Sequence, residues 1–206
     1  MTPPPFDMIL ASVSPRRQQI LQKAGYRFSV FDPGDVEEEV GGDTPAQQAA
    51  VKARAKAACA VRALQPTTPT LMVAADTLVA LGREVLGKPL DRDDARRMLK
   101  RLSGTRQEVI SGLCLWPVPH GPEPLVEAVS SWVTMRPMTD NEISAYVDSG
   151  EADGKAGAYA IQETGDRFVQ QLEGSLLNVV GFPLERFEEQ LRELSAIWPH
   201  ESMPSD

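Results

Sequence analysis

Leu71-Met72-Val73-Ala74-Ala75-Asp76-Thr77-Leu78-Val79-Ala80-Leu81 is apolar at every position except Asp76 and Thr77. A run of that length, preceded by Pro69 and followed by the turn residues Gly82-Arg83-Glu84, reads as one long buried strand around which a sheet is built. The two polar residues carry the chemical question. Burying an unpaired carboxylate is costly, so Asp76 must be paired, bound to a metal, hydrogen-bonded at a strand end or bulge, or open to a cleft. A carboxylate whose surroundings perturb its pKa is a candidate general base.

Upstream, residues 8–12 read as a short buried strand, and Ser14-Pro15 caps a helix that runs to about Lys23 and stops at Gly25. Residues 28–31 alternate like a second strand, and the acidic run 35–39 belongs to the loop after Pro33-Gly34. Thr44-Pro45 repeats the cap for an alanine-rich helix over 46–64, which Pro66 and Pro69 end. Downstream, residues 91–102 form a helix with acidic residues in its first turn and basic ones in its last, as the helix dipole favours. Residues 109–116 and 126–135 read as strands joined by a proline-rich loop, and Thr139 with Glu142 makes a capping box for a helix ending near Gly150. Residues 158–162 and 167–172 flank Glu163-Thr164-Gly165-Asp166 and read as a hairpin; Pro183 opens the last helix, to about Ile197. Strands and helices without a repeat or linker give an α/β or α+β class with a largely central sheet, and one domain over 8–197, with 1–7 a flexible N-terminus and 198–206 a flexible tail.

The chain has 206 residues, 24% of them charged, and a formal charge of −8, which excludes a surface that coats duplex nucleic acid. Anionic ligands must be met by a local cluster of Lys and Arg. No apolar stretch approaches the roughly 20 residues of a membrane helix, and the first residues lack a secretory pattern, so the expected location is the cytoplasm. Cys59 and Cys114 read as reduced packing thiols.

Four constellations stand out. Ala11-Ser12-Val13-Ser14-Pro15-Arg16-Arg17 puts hydroxyls, helix-start amides and two guanidinium groups at one strand-to-helix turn, the parts that bind phosphate, although a capped helix with solvated arginines reads the same way. Lys52 and Lys56 share one helix face, where an anion would relieve their repulsion. Gly87-Lys88-Pro89 can bring an ammonium beside Asp76. Glu37-Glu38-Glu39 is either a solvated loop or part of a divalent-cation site completed by substrate phosphates. The glycine signatures of dinucleotide enzymes and P-loop NTPases are missing.

Leu10-Ala11-Ser12-x-Ser14-Pro15-Arg16-Arg17, Ala75-Asp76-Thr77, Gly87-Lys88-Pro89, Leu102-Ser103-Gly104, Lys155-Ala156-Gly157-Ala158-Tyr159-Ala160-Ile161-Gln162 and Gly174-Ser175-x-x-Asn178-Val179-Val180-Gly181-x-Pro183-Leu184 occur in order. With them the chain resembles the Maf family of nucleoside triphosphate pyrophosphatases. The resemblance implies a mixed sheet with flanking helices and two lobes around a cleft, related to the inosine triphosphate pyrophosphatases, and often a homodimer. It implies hydrolysis of a nucleoside triphosphate to the monophosphate and pyrophosphate. By the same resemblance Asp76 is the proton acceptor, Ser12, Arg17, Glu38, Lys56 and Lys88 are polar active-site positions, and Lys155 binds substrate. Glu38 and Asp76 would hold a divalent cation, Mg or Mn. Arg16, Thr77 and Gln162 match the branch acting on dTTP and UTP; the branch acting on 7-methyl-GTP has Trp, Gln and Glu there. The alternatives are that second activity, or a non-catalytic nucleotide-binding regulator linked to septum formation. Two positions depart from the family pattern: Gln107, where His is frequent, and Gly154, where an acidic residue precedes Lys155.

Overall fold

The computed structural model describes residues 6–34, 36, 41–161 and 163–198, with the side chains of 163 and 164 excepted. The elements are β1 (Asp7–Leu10), α1 (Pro15–Lys23), β2 (Ser29–Val30), α2 (Pro45–Leu64), β3 (Thr70–Leu81), β4 (Glu84–Leu86), α3 (Arg92–Leu102), β5 (Arg106–Val118), β6 (Leu125–Met135), α4 (Asp140–Asp148), β7 (Val169–Glu173), α5 (Leu176–Val180) and α6 (Leu184–Ser195). Seven strands form one mixed sheet in the order β2-β1-β3-β5-β6-β7, with β4 added to β3. β1 runs parallel to both β2 and β3, and every other pairing is antiparallel. The expected α/β class is observed.

β3 is the axis of the molecule. β5 pairs with it from Thr70 to Ala80, whereas its other edge is shared by β1, which covers Thr70 to Val73, and β4, which covers Val79 to Leu81. Residues 74–78 between them have a strand on one side only, and this gap divides the fold into two lobes. Alternation along the strand sends Leu71, Val73 and Ala75 into a core with Ile20, Leu21, Phe182 and Phe187, and Met72 and Ala74 into another with Ala53, Ala57 and Ala60. Beyond the gap, Val79 joins Leu99, Val133, Tyr146 and Phe168 in the core of the second lobe.

Local signals explain most helix starts. Thr44 with Gln47 and Thr139 with Glu142 both form complete capping boxes, and the Asp91 side chain accepts from the Asp94 amide. The hairpin expected over 158–162 and 167–172 does not form. Gly157 and Ala158 have φ of 68° and 60°, outside the strand region, and residues 156–158 make a 3₁₀ turn. A second 3₁₀ segment, Glu163–Phe168, replaces the expected turn, and β7 pairs with β6 instead. The ends also differ from expectation: Asp7 opens β1, while Phe6 and Trp198 are buried with ring centroids 5.1 Å apart. The expected flexibility of 1–5 and 199–206 falls outside the described residues.

Candidate active site

The chain leaves β1 through α1 on one face of the sheet and returns from β2 to β3 through α2 on the opposite face. In a doubly wound sheet such a reversal opens a crevice at the carboxyl end of the strand. Here the crevice lies over the gap in β3, and residues 11–17 run along it. Ser14 starts α1 without a side-chain cap, and the first turn contains no acidic residue. Instead the Ser14 amide donates to Ser12 Oγ at 3.3 Å. The helix start is thereby left suited to an external anion.

Arg17 is held on three sides. Its Nε donates to the Gly181 carbonyl at 2.9 Å, Nη1 to Ser12 Oγ at 3.0 Å and Nη2 to Thr77 Oγ1 at 3.3 Å. Burial lowers its pKa, Asp76 offsets part of that, and neighbouring Arg16 adds to it. The long Arg side chain is therefore fixed before any ligand arrives.

Asp76 lies on the opposite pleat from Thr77 and faces α2. Ala49, Ala53, Ala57 and Ala60 form the buried stripe of that helix, and Gly112, directly across from Asp76, is where it lands. A Cβ at Gly112 would stand 1.9 Å from the Ala49 carbonyl oxygen, so only glycine admits so close a helix. That approach lets the Lys56 ammonium donate to Asp76 Oδ1. The pair stays open to the crevice, with side-chain exposures of 23% for Lys56 and 15% for Asp76. Burial lowers the Lys56 pKa, Asp76 counters it, and Arg17 and Lys88 lower it further. Lys56 and Arg17 thus both feel the Asp76 carboxylate, and Lys88 is near enough to act on Lys56, a local positive excess in an acidic chain.

Thr77 Oγ1 lies 2.8 Å from Ser111 Oγ, which in turn donates to the Asn178 carbonyl at 3.2 Å. Asn178, fully buried, donates from its amide to the carbonyls of Val109 and Val129 and to Ser131 Oγ. These contacts tie α5 to the sheet beneath the crevice. Ser111 was not singled out in the sequence; its signal is the same as that of Thr77, one hydroxyl in an apolar strand.

Of the residues expected at the site, the structure gathers Ser12, Arg17, Lys56, Asp76 and Thr77, with Lys88 within electrostatic reach of Lys56. The 3₁₀ turn that follows Lys155 is fastened by the Gly157 amide to the Gly87 carbonyl at 3.0 Å, which brings that turn beside Lys88. Arg16 is turned elsewhere, lining a cavity of about 230 Å³ with Gln19, Lys23, Leu177 and Leu184. Glu38 and Gln162 lie outside the described residues. Among the described residues no three His, Cys, Asp or Glu side chains gather as a metal site, so a divalent cation at Asp76 would depend on oxygen atoms from a substrate. Cys59 and Cys114 are free, as expected, and burial pushes the Cys114 thiol up to about 12. No helix among the described residues is long and apolar enough to cross a membrane.

The sequence profile of a family described as "Maf-like protein" matches residues 7–194. A protein of Carboxydothermus hydrogenoformans named dTTP/UTP pyrophosphatase is 43% identical over 185 residues, which covers 89% of this chain and 96% of that protein. A protein of Geobacter sulfurreducens with the same name is 43% identical over 190 residues, covering 92% and 97%. A solved structure from Mycobacterium abscessus, a nucleoside-triphosphatase described as a dITP/XTP pyrophosphatase, is 18% identical with a TM-score of 0.45, covering 94% of this chain and 98% of that one.

Proposed function

The chain belongs to the family of Maf-like proteins, and on that premise we propose that it hydrolyses dTTP and UTP to the nucleoside monophosphate and pyrophosphate. The observation that carries the reading is the Lys56–Asp76 pair, open to a crevice that also holds Arg17 and senses Lys88. A site for binding alone has no use for a carboxylate beside a polyphosphate, whereas hydrolysis needs a group that orients water and takes its proton. The names of the relatives support the choice of nucleotide.

In the free protein Lys56 occupies Asp76 Oδ1. A bound triphosphate offers the ammonium phosphate oxygens, which frees the carboxylate to orient a water and accept its proton as the water attacks the α-phosphorus. The α-phosphorus to bridging-oxygen bond breaks, and pyrophosphate leaves with the electron pair. Three of the five guanidinium N–H groups of Arg17 are committed to Ser12, Thr77 and Gly181. The others are available to phosphate oxygens, preorganised toward charge that develops in the transition state. Lys88 and Lys155 add positive charge at the far side of the crevice.

One carboxylate with substrate phosphates suits Mg or Mn, so Asp76, joined by Glu38, would hold such an ion, which when bound would neutralise the triphosphate and polarise its phosphorus. Thr77 and Gln162 are assigned to the base, joined by Arg16 once its side chain swings out of the cavity it lines with Leu177 and Leu184. The cytoplasm and a homodimer complete the proposal; sedimentation of the purified protein tests the second.

The experiment is a panel of UTP, dTTP, CTP and 7-methyl-GTP with Mg or Mn, pyrophosphate being measured separately from orthophosphate. Pyrophosphate release fastest from UTP and dTTP is expected. A preference for CTP or 7-methyl-GTP overturns the choice of nucleotide, and absence of pyrophosphate release overturns the activity.

A further inference from the structure

Thr77 is half-buried at the gap in β3, and its hydroxyl is surrounded by groups that constrain where its one proton can go. Arg17 Nη2 donates to it, which occupies a lone pair. Inward, two acceptors compete for the proton: Ser111 Oγ at 2.8 Å and the Gly181 carbonyl at 3.3 Å. The Gly181 carbonyl already receives Arg17 Nε at 2.9 Å, so Ser111 is the better partner. Ser111 is fully buried, and its own proton goes to the Asn178 carbonyl. Either hydroxyl can donate across the 2.8 Å contact; with Thr77 as the donor, the order runs from the Arg17 guanidinium through the Thr77 and Ser111 hydroxyls to a backbone carbonyl, each link polarising the next.

We propose that Ser111 is a positioning residue for specificity: by drawing the Thr77 proton inward, it makes Thr77 offer the substrate an acceptor and no donor. This inference rests on the reading of the site as one for uracil and thymine nucleotides, and extends it to a residue outside the crevice. Uracil and thymine carry a donor at N3–H, which an acceptor-only Thr77 complements. Cytosine carries an unprotonated N3 acceptor at the same position, so the two lone pairs face each other and the base is rejected. Without Ser111, Thr77 keeps the distant, already shared Gly181 carbonyl as its inward acceptor. Its hydroxyl can then turn outward and donate to cytosine. The Asn178 carbonyl is not orphaned by the change, because the Gly181 amide also donates to it at 3.0 Å. Ser111→Ala therefore leaves the fold in place.

The test is the UTP-to-CTP ratio of kcat/KM in the parent, Ser111→Ala, Thr77→Val and the double variant, with the UMP-to-CMP ratio of Kd measured on the same proteins. Ser111→Ala should lower both ratios about tenfold, the scale of one mismatched buried polar pair, with thermal unfolding close to the parent's. In the Thr77→Val background the same substitution should change nothing further, because the two act as one unit. Ser111→Cys, which keeps a slightly larger group with a weaker hydrogen bond, should give a smaller shift in the same direction and serves if the alanine variant does not fold. Unchanged ratios in both Ser111 variants, or an equal drop in the Thr77→Val background, overturn the proposal. A parent without turnover that binds UMP over CMP fails the functional reading alone, and the Kd ratios still decide on Ser111. A parent with no preference in turnover or binding overturns both.

Discussion

Replacing Gly112 by alanine should damage both the fold and the site, and by the same displacement. The added Cβ would fall 1.9 Å from the Ala49 oxygen, 2.3 Å from its carbonyl carbon and 2.7 Å from the Ala50 nitrogen, all backbone atoms of α2. No rotamer change relieves such a contact. Bringing it to the 3.0 Å that marks the lower limit for real contacts lifts the helix off β5 by about 1 Å. Forced overpacking of this kind costs about 1–3 kcal/mol, and at about 2–4 °C per kcal/mol for a chain of this size the melting temperature should fall by roughly 2–12 °C. Lys56 lies two turns further along the same helix, so its ammonium moves relative to Asp76. A 1 Å misplacement of a reacting group costs about 10² in rate, and UTP turnover should fall on that scale beyond any loss of folded protein. Differential scanning calorimetry and kcat for pyrophosphate release read the two effects. Gly87→Ala is the stability control, because a Cβ there meets nothing within 4 Å. A Gly112→Ala protein that melts and turns over like the parent would refute the claim that backbone approach at Gly112 sets the Lys56–Asp76 pair.

Lys56→Ala and Lys88→Ala should each lower dTTP and UTP hydrolysis alike, by roughly 10², the scale for deleting one preorganised charge donor; a loss confined to one nucleotide would show that the lysine reads the base. Hydrogen bonds from Arg136 and then from the Thr139 amide and hydroxyl hold the Glu142 carboxyl at about 2, below its ordinary 4.5. Because the folded value is depressed, the stability it brings is complete above about pH 4.5 and lost as pH falls toward 2, so Glu142→Gln should flatten the acid limb of urea midpoint against pH. An acid limb identical to the parent's would remove that role.

What the sequence revealed divides by the range of the interaction. Capping boxes at Thr44 and Thr139 act over three residues, and both helices start where those residues stand. β3 was legible because nine of the eleven residues 71–81 are apolar. The strand expected over 109–116 extends to Arg106–Val118, since pairing with β6 reaches Thr134 and carries Gln107 into the core. α5 spans five residues, too few to show a helical period. The expected hairpin failed because its second strand found β6, a partner distant in the chain. At the site, the sequence left Asp76 paired, metal-bound, hydrogen-bonded or open to a cleft, and singled out Lys56 only beside Lys52 and by resemblance; that Lys56 is the partner of Asp76 depends on an alanine stripe meeting a glycine. Arg17 and Thr77 are 60 residues apart, and Thr77 and Ser111 are 34, so that network exists only once the sheet has formed.

The most direct test of the account is pyrophosphate release from UTP by the parent and by Asp76→Asn, with circular dichroism and UTP binding measured on both. The account predicts that the parent yields UMP and pyrophosphate in equal amounts, while the variant folds, binds UTP and turns over roughly 10² to 10⁴ times more slowly, the usual range for loss of a general base. A folded Asp76→Asn protein releasing pyrophosphate at the parent rate would contradict it.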